Sequence, residues 1–140
     1  MEEIKYKIEK RNDGWYLATA DLNRGGSIIV EAETYSSLKE KILGFTQEHL
    51  EFCRANNVPV PENPKIKLLY SELFSNNHDS ENILITGNPE GQGYRAVSNS
   101  NLNLNMYNED FDVLREELLQ RIQESVNDRN VEFRLEEVLD

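Results

Sequence analysis

Asp13-Gly14-Trp15-Tyr16-Leu17-Ala18-Thr19-Ala20-Asp21-Leu22 is the stretch that decides the fold. Asp-Gly supplies a residue tolerant of positive φ directly before a run rich in aromatic and small apolar side chains, the pattern of a hairpin turn feeding a strand. Upstream, Ile4, Tyr6 and Ile8 alternate with Lys5, Lys7 and Glu9, the two-residue period of a strand with one buried face. Downstream, Asn23-Arg24-Gly25-Gly26 reads as a second turn, and Ile28, Val30 and Ala32 share one face of a third strand. The period then changes: Leu38, Ile42, Phe45, His49, Phe52 and Cys53 recur at helical spacing behind Ser36 or Ser37 as N-cap, with Glu40 near the first turn. Pro59 and Pro61 follow the expected helix end at Asn56-Asn57, and Lys65 to Tyr70 reads as a fourth strand.

The same order of signals returns after Ser75-Asn76-Asn77-His78-Asp79-Ser80, which holds no apolar residue. Ile83-Leu84-Ile85 reads as a strand, Asn88 to Gly93 as a turn and Tyr94 to Ser98 as the partner strand. Leu102, Leu104 and Met106 alternate with asparagines in a third strand. Phe111, Leu114, Leu118, Ile122 and Val126 form a helical stripe behind Asp110 or Asp112, and Val131 to Leu139 closes the pattern as a strand with a frayed end. Tyr16 aligns with Tyr94, and Tyr35-Ser36-Ser37-Leu38 with Phe111-Asp112-Val113-Leu114; Ile42 and Leu43 then fall on Leu118 and Leu119. The expected fold class is therefore α+β, two βββαβ units in tandem, each an antiparallel-rich sheet with one helix. Their bounds are residues 1–74 and 83–140, joined by a linker over 75–82.

The charge is −11 over 140 residues and is unevenly placed. Residues 1–70 carry ten basic and eleven acidic side chains; residues 71–140 carry five and fifteen, with no lysine among the five. Binding a phosphate backbone rests on Lys and Arg, so direct nucleic-acid binding is not expected. An acidic surface either solvates the protein or steers a basic partner. One cysteine, Cys53, leaves no internal disulfide and fits a reducing compartment, so a cytoplasmic location is expected, with no membrane partner.

No reaction is legible. Asp13, Asp21, Glu31 and Glu33 are the carboxylates that a Mg²⁺-dependent nuclease would need to converge, but turn and strand-face roles explain them. His49 beside Phe52 and Cys53 lacks the further ligands of a metal site, and His78 lies in the linker. Gly91 and Gly93 precede no helix and so form no phosphate loop. The chain is read as a non-enzyme with neither metal nor cofactor. The residues expected to meet a partner are Trp15, which abuts a turn where full burial is harder, and Tyr107, Glu109, Asp110, Asp112, Glu116 and Glu117 in the acidic second unit.

Residues 4–70 resemble the small domain of the HicB family of antitoxins. The resemblance rests on Asp13-Gly14-Trp15-Tyr16, Ala20-Asp21-Leu22, the helix, and Val58-Pro59-Val60-Pro61-Glu62 after it. Asn23-Arg24-Gly25-Gly26 and Glu31-Ala32-Glu33-Thr34 stand where the family carries a proline-glycine turn and a Gly-x-Thr stretch. The resemblance implies a truncated ribonuclease H-like fold without nuclease activity that binds and blocks a small basic RNA-cleaving toxin in a toxin-antitoxin system. It does not extend to a DNA-binding segment, because a second acidic unit occupies that place. The alternatives are a phage or mobile-element inhibitor of host defence acting as an acidic mimic, a metal-dependent ribonuclease H-like nuclease, and a homodimer formed by pairing of an exposed edge strand.

Overall fold

The computed structural model describes residues 2–74, 82–98, 103–125 and 130–139. Nearly all of the expected linker, with His78, lies outside the described residues, as do Leu102 and Val126. The fold class is α+β. The chain divides into two compact units, one of residues 1–69 with 137–140, the other of residues 70–136.

The first unit holds β1 (Glu3–Lys10), β2 (Tyr16–Asp21), β3 (Ser27–Ala32), α1 (Tyr35–Ala55) and the first five residues of β4 (Lys65–Leu73). Its strands lie in the order β3-β2-β1-β4, with β2 antiparallel to both β1 and β3. Alternation puts Ile4, Tyr6, Ile8, Tyr16, Ala18, Ala20, Ile28, Val30 and Ala32 on one buried face. Helix α1 meets that face with Tyr35, Leu38, Ile42, Thr46, Leu50 and Cys53. Each large apolar side chain so buried contributes about 1.5–3 kcal/mol. The helix departs from expectation at two points. Its N-cap is Thr34, whose Oγ1 accepts from the Ser37 amide at 3.1 Å, rather than Ser36 or Ser37. Its buried stripe passes through Thr46 and Leu50, leaving Phe45 and Phe52 46% and 66% exposed. The cause is tertiary: the Thr46 hydroxyl meets the buried Tyr6 hydroxyl at 2.6 Å and also donates to the Ile42 carbonyl. A threonine is thereby satisfied in the core, where an unpaired hydroxyl would be costly.

The second unit holds the last residues of β4 from Tyr70, β5 (Asn82–Glu90), β6 (Gly93–Ser98), β7 (Asn105–Asn108), α2 (Phe111–Ser125) and β8 (Asn130–Leu139) as far as Glu136. Strand order is β8-β5-β6-β7; β5 runs parallel to β8 and antiparallel to β6, and β6 is antiparallel to β7. Phe111 is the centre of the core, with ring centroids 5.2 Å from Tyr70, 5.4 Å from Tyr94 and 6.0 Å from Phe133. Leu114, Leu118 and Ile122 bury the same side of α2. Gly87 is a packing requirement, since a Cβ there would stand 2.9 Å from the Phe133 ring.

Three boundaries differ from those expected. The turn over Asn88 to Gly93 shrinks to Gly91-Gln92, because β5 continues through Pro89, which lies opposite Tyr94. Pairing of β5 with β8 runs only to Gly87, so the missing N–H of Pro89 interrupts no ladder on that side. The strand expected from Leu102 starts at Asn105, since Asn103 adopts φ 46° and turns the chain out of extended geometry. Strand β4 runs on to Leu73, three residues past Tyr70. Among the described residues, no helix is long and apolar enough to cross a membrane.

Candidate protein-interaction surfaces

The turn that opens β2 is built by Asp13. Gly14 takes φ 91°, and the Arg11 amide donates to the Trp15 carbonyl at 2.8 Å. Asp13 Oδ1 accepts from the Trp15 amide at 3.0 Å, while its other oxygen pairs with the Arg11 guanidinium. Arg11 first, then the Trp15 amide, hold the Asp13 carboxyl below the usual aspartate range; the same pairing raises Arg11. Arg11 also reaches Glu31 at 2.9 Å. Trp15 is thus fixed half-buried at the end of the hairpin, with the Lys41 ammonium 6.0 Å from its ring centroid.

Lys41 begins a flank of α1 that the core does not use. Phe45 and Phe52, two turns apart, project along it with Trp15 near its N-terminal end. Sequence reasoning missed these two phenylalanines by assigning them to the core. The signal that separates them is the four-residue step from Leu38 through Ile42 to Thr46 and Leu50, a complete core stripe without either aromatic. The opposite flank of α1 borders an open groove of about 370 Å³ lined by Leu43, Gln47, Glu51, Arg54, Glu62 and Ile66. Arg54 fixes its rim by donating to the carbonyls of Pro61 and Glu62 at 2.9 and 2.8 Å.

Several of the residues considered for chemistry make structural contacts. Asp13 and Glu31 are tied to Arg11, and Asp21 accepts from the Asn23 amide at 2.9 Å. His49 Nε2 donates to the Gly25 carbonyl at 2.6 Å, and the buried Cys53 thiol approaches the same oxygen at 3.8 Å. Among the described residues, no three His, Cys, Asp or Glu side chains are placed to hold one metal ion.

In the second unit the residues singled out from sequence fall in one stretch, 107–117. Tyr107 is 40% exposed on β7, with the Arg95 guanidinium 5.4 Å from its ring centroid. Asp110 caps α2, accepting from the amides of Asp112 at 2.8 Å and Val113 at 3.3 Å, and its own amide donates to Asn108. Asn108 also donates to Glu117 at 3.3 Å. Glu109 is exposed, and Glu116 is exposed while pairing with Arg115 at 2.8 Å. Trp15 belongs to the first unit and the other six residues to the second.

Arg115 is engaged by several groups. It grips Glu72 bidentately, Nε to Oε2 at 2.7 Å and Nη2 to Oε1 at 2.6 Å, and Tyr70 donates its hydroxyl to the same carboxylate. The hydrogen bonds to Glu72 raise the Arg115 pKa, and burial raises that of Tyr70. A similar cluster stands in the first unit, where Tyr35 and Lys39 of α1 donate to Glu137 at 3.0 and 3.1 Å. Compared with protein-family models, curated proteins and solved structures, the chain matched none.

Proposed function

We propose that this chain is a non-enzymatic, cytoplasmic binding protein of the HicB-like antitoxin type, built from two βββαβ copies, that masks the cationic surface of a basic nucleic-acid-processing protein. The observation that carries the reading is the density of carboxylates in 107–117, where Glu109, Asp110, Asp112, Glu116 and Glu117 stand beside a single arginine, Arg115. Arg95 pairs with Glu90, Arg115 with Glu72 and Glu116, and Arg134 with Glu132. Glu109 and Glu117 add carboxylates to that stretch, and Asp110 and Asp112 lie at the positive end of α2. A surface of that sign attracts a basic partner over a Debye length, about 8 Å at physiological salt, and apolar contact then holds it. Within the first unit taken by itself, Trp15, Phe45 and Phe52 offer a separate aromatic area of the kind that anchors protein interfaces.

Support for two copies comes from the pair of carboxylate clusters. The alignment that puts Tyr35 on Phe111 also puts Lys39 on Arg115. Each of these cations binds a glutamate in the strand that closes a βββαβ run, Glu137 in β8 for Lys39 and Glu72 in β4 for Arg115. Each glutamate also follows three alternately buried residues: Ile66, Leu68 and Tyr70 in β4, and Val131, Phe133 and Leu135 in β8. Convergence of two unrelated patterns would have to reproduce cation, acceptor and register together.

The test is to titrate the chain into an RNA-cleavage reaction run by the small basic protein encoded next to its gene. Inhibition at one-to-one stoichiometry is expected, with affinity falling at least about tenfold between low and high salt. The triple variant Glu109→Gln, Glu116→Gln, Glu117→Gln should weaken binding while the circular dichroism spectrum stays unchanged. No inhibition, or binding indifferent to salt, overturns the proposal. Cleavage of RNA by this chain alone with Mg²⁺, lost in Asp21→Asn, would replace it with a nuclease.

A further inference from the structure

Among the described residues, strand β3 ends the first unit's sheet order and pairs on one side only, with β2. The Leu22 amide donates to the Gly26 carbonyl at 2.8 Å, which fixes the parity of the ladder that follows. Antiparallel pairing then points the backbone groups of Ile28, Val30 and Ala32 at β2, and those of Ser27, Ile29 and Glu31 outward. Consistent with that parity, the Glu31 carbonyl accepts a hydrogen bond from the Lys41 side chain at 3.1 Å. The Ile29 side chain, on the face away from α1, is 62% exposed. A strand edge with backbone groups pointing outward beside an exposed isoleucine is a template for another strand.

We propose that β3 forms a homodimer interface, pairing antiparallel with β3 of a second copy about a two-fold axis through Ile29. The sequence Ser27-Ile28-Ile29-Val30-Glu31 is self-complementary in that register. Ile29 faces its own copy, and Ser27 of each chain lies opposite Glu31 of the other. The three outward-facing residues exchange about six backbone hydrogen bonds, and the Glu31 carbonyl passes from the Lys41 ammonium to the Ser27 amide of the second chain. Electrostatics select the register. Centred on Ile29, the two Glu31 positions lie about 14 Å apart along the ladder, beyond a Debye length; centred on Val30 they come within about 7 Å. The edge strand of the second unit, β7, is a poorer template: it has four residues, and Glu109 and Asp110 follow it directly.

Analytical ultracentrifugation of the full chain up to about 0.5 mM provides the test. A concentration-dependent dimer is expected. Ile29→Lys places ammonium opposite ammonium at a solvent-exposed position, so it should yield a monomer with an unchanged circular dichroism spectrum. Ser27→Glu sets a carboxylate opposite Glu31 and should raise the dissociation constant at least about tenfold; adding Glu31→Lys should restore pairing. Rescue by the second change reports the register itself, which general destabilisation would not do. A wild-type chain that stays monomeric, a dimer indifferent to Ile29→Lys, or failure of the double variant to recover the Ser27→Glu loss overturns the proposal. None of these residues lies in 107–117, so partner binding is a separate readout.

Discussion

Asp13 shows how a side chain that looks catalytic in sequence is used to shape a turn. Its carboxylate joins the Arg11 guanidinium to the Trp15 amide, and both contacts favour the charged form. The folded-state pKa is lowered relative to the unfolded chain, so the contribution to stability is present above the ordinary aspartate range and disappears as pH falls through the depressed value. Trp15 is the chain's single tryptophan and reports on this turn directly. In an acid titration followed by tryptophan fluorescence, a transition below pH 3.8 is expected, absent in Asp13→Asn. Identical titration of the two proteins would show that Asp13 does not order the turn. The position of Trp15 was legible from Asp13-Gly14, because turn chemistry is local. The burial of Thr46 was not, because its justification, the Tyr6 hydroxyl, stands forty residues away in sequence.

Among elements, α2 is fixed to the end of β4 by Arg115 and Glu72, both nearly buried. Removing one member of a desolvated pair leaves the other without its counter-charge, so Glu72→Gln should cost about 3 kcal/mol in urea denaturation. Replacing both partners by leucine should cost less than that single change, since neither charge is then left in a poorly solvated place. A double variant less stable than Glu72→Gln would show that the pair contributes more than it costs to desolvate. The order of elements was readable because strands and helices differ in apolar period, and the hairpin and caps carry short-range signals. The errors lie where a local rule met a tertiary one. Thr34 takes the cap because the helix begins at Tyr35, whose ring packs edge-on against Tyr16 at 5.9 Å. Asn103 shortens β7 although its neighbours alternate correctly for a strand. The acidic stretch was legible from charge alone; the exposed Phe45 and Phe52 were not, since their seven-residue spacing suits a buried face equally well.

At the scale of the whole chain, the units are interleaved in sequence. The first includes residues 137–140 and the second begins at Tyr70, inside β4. Glu137 is the acceptor for Tyr35 and Lys39, so a residue of β8 completes the surroundings of α1. A chain ending at Glu136 should therefore exchange α1 amide hydrogens at least about tenfold faster, while α2 keeps its protection. Unchanged exchange in α1 would mean that the tail is not part of that cooperative unit.

Synthesis runs from the N-terminus, and this arrangement sets a timetable for it. When Leu69 has left the ribosome, the strands β1 to β3 and helix α1 are present, but Glu137 has yet to be made. Until the codon for Glu137 is read, Tyr35 and Lys39 lack the carboxylate they will share, and residues 70–136 intervene before it arrives. Contacts this distant in sequence slow folding, because loop closure must precede their formation. Helix α1 therefore reaches its final stability only after Glu137 has been made, and a product cut before that residue carries the defect about a hundred residues upstream of the cut.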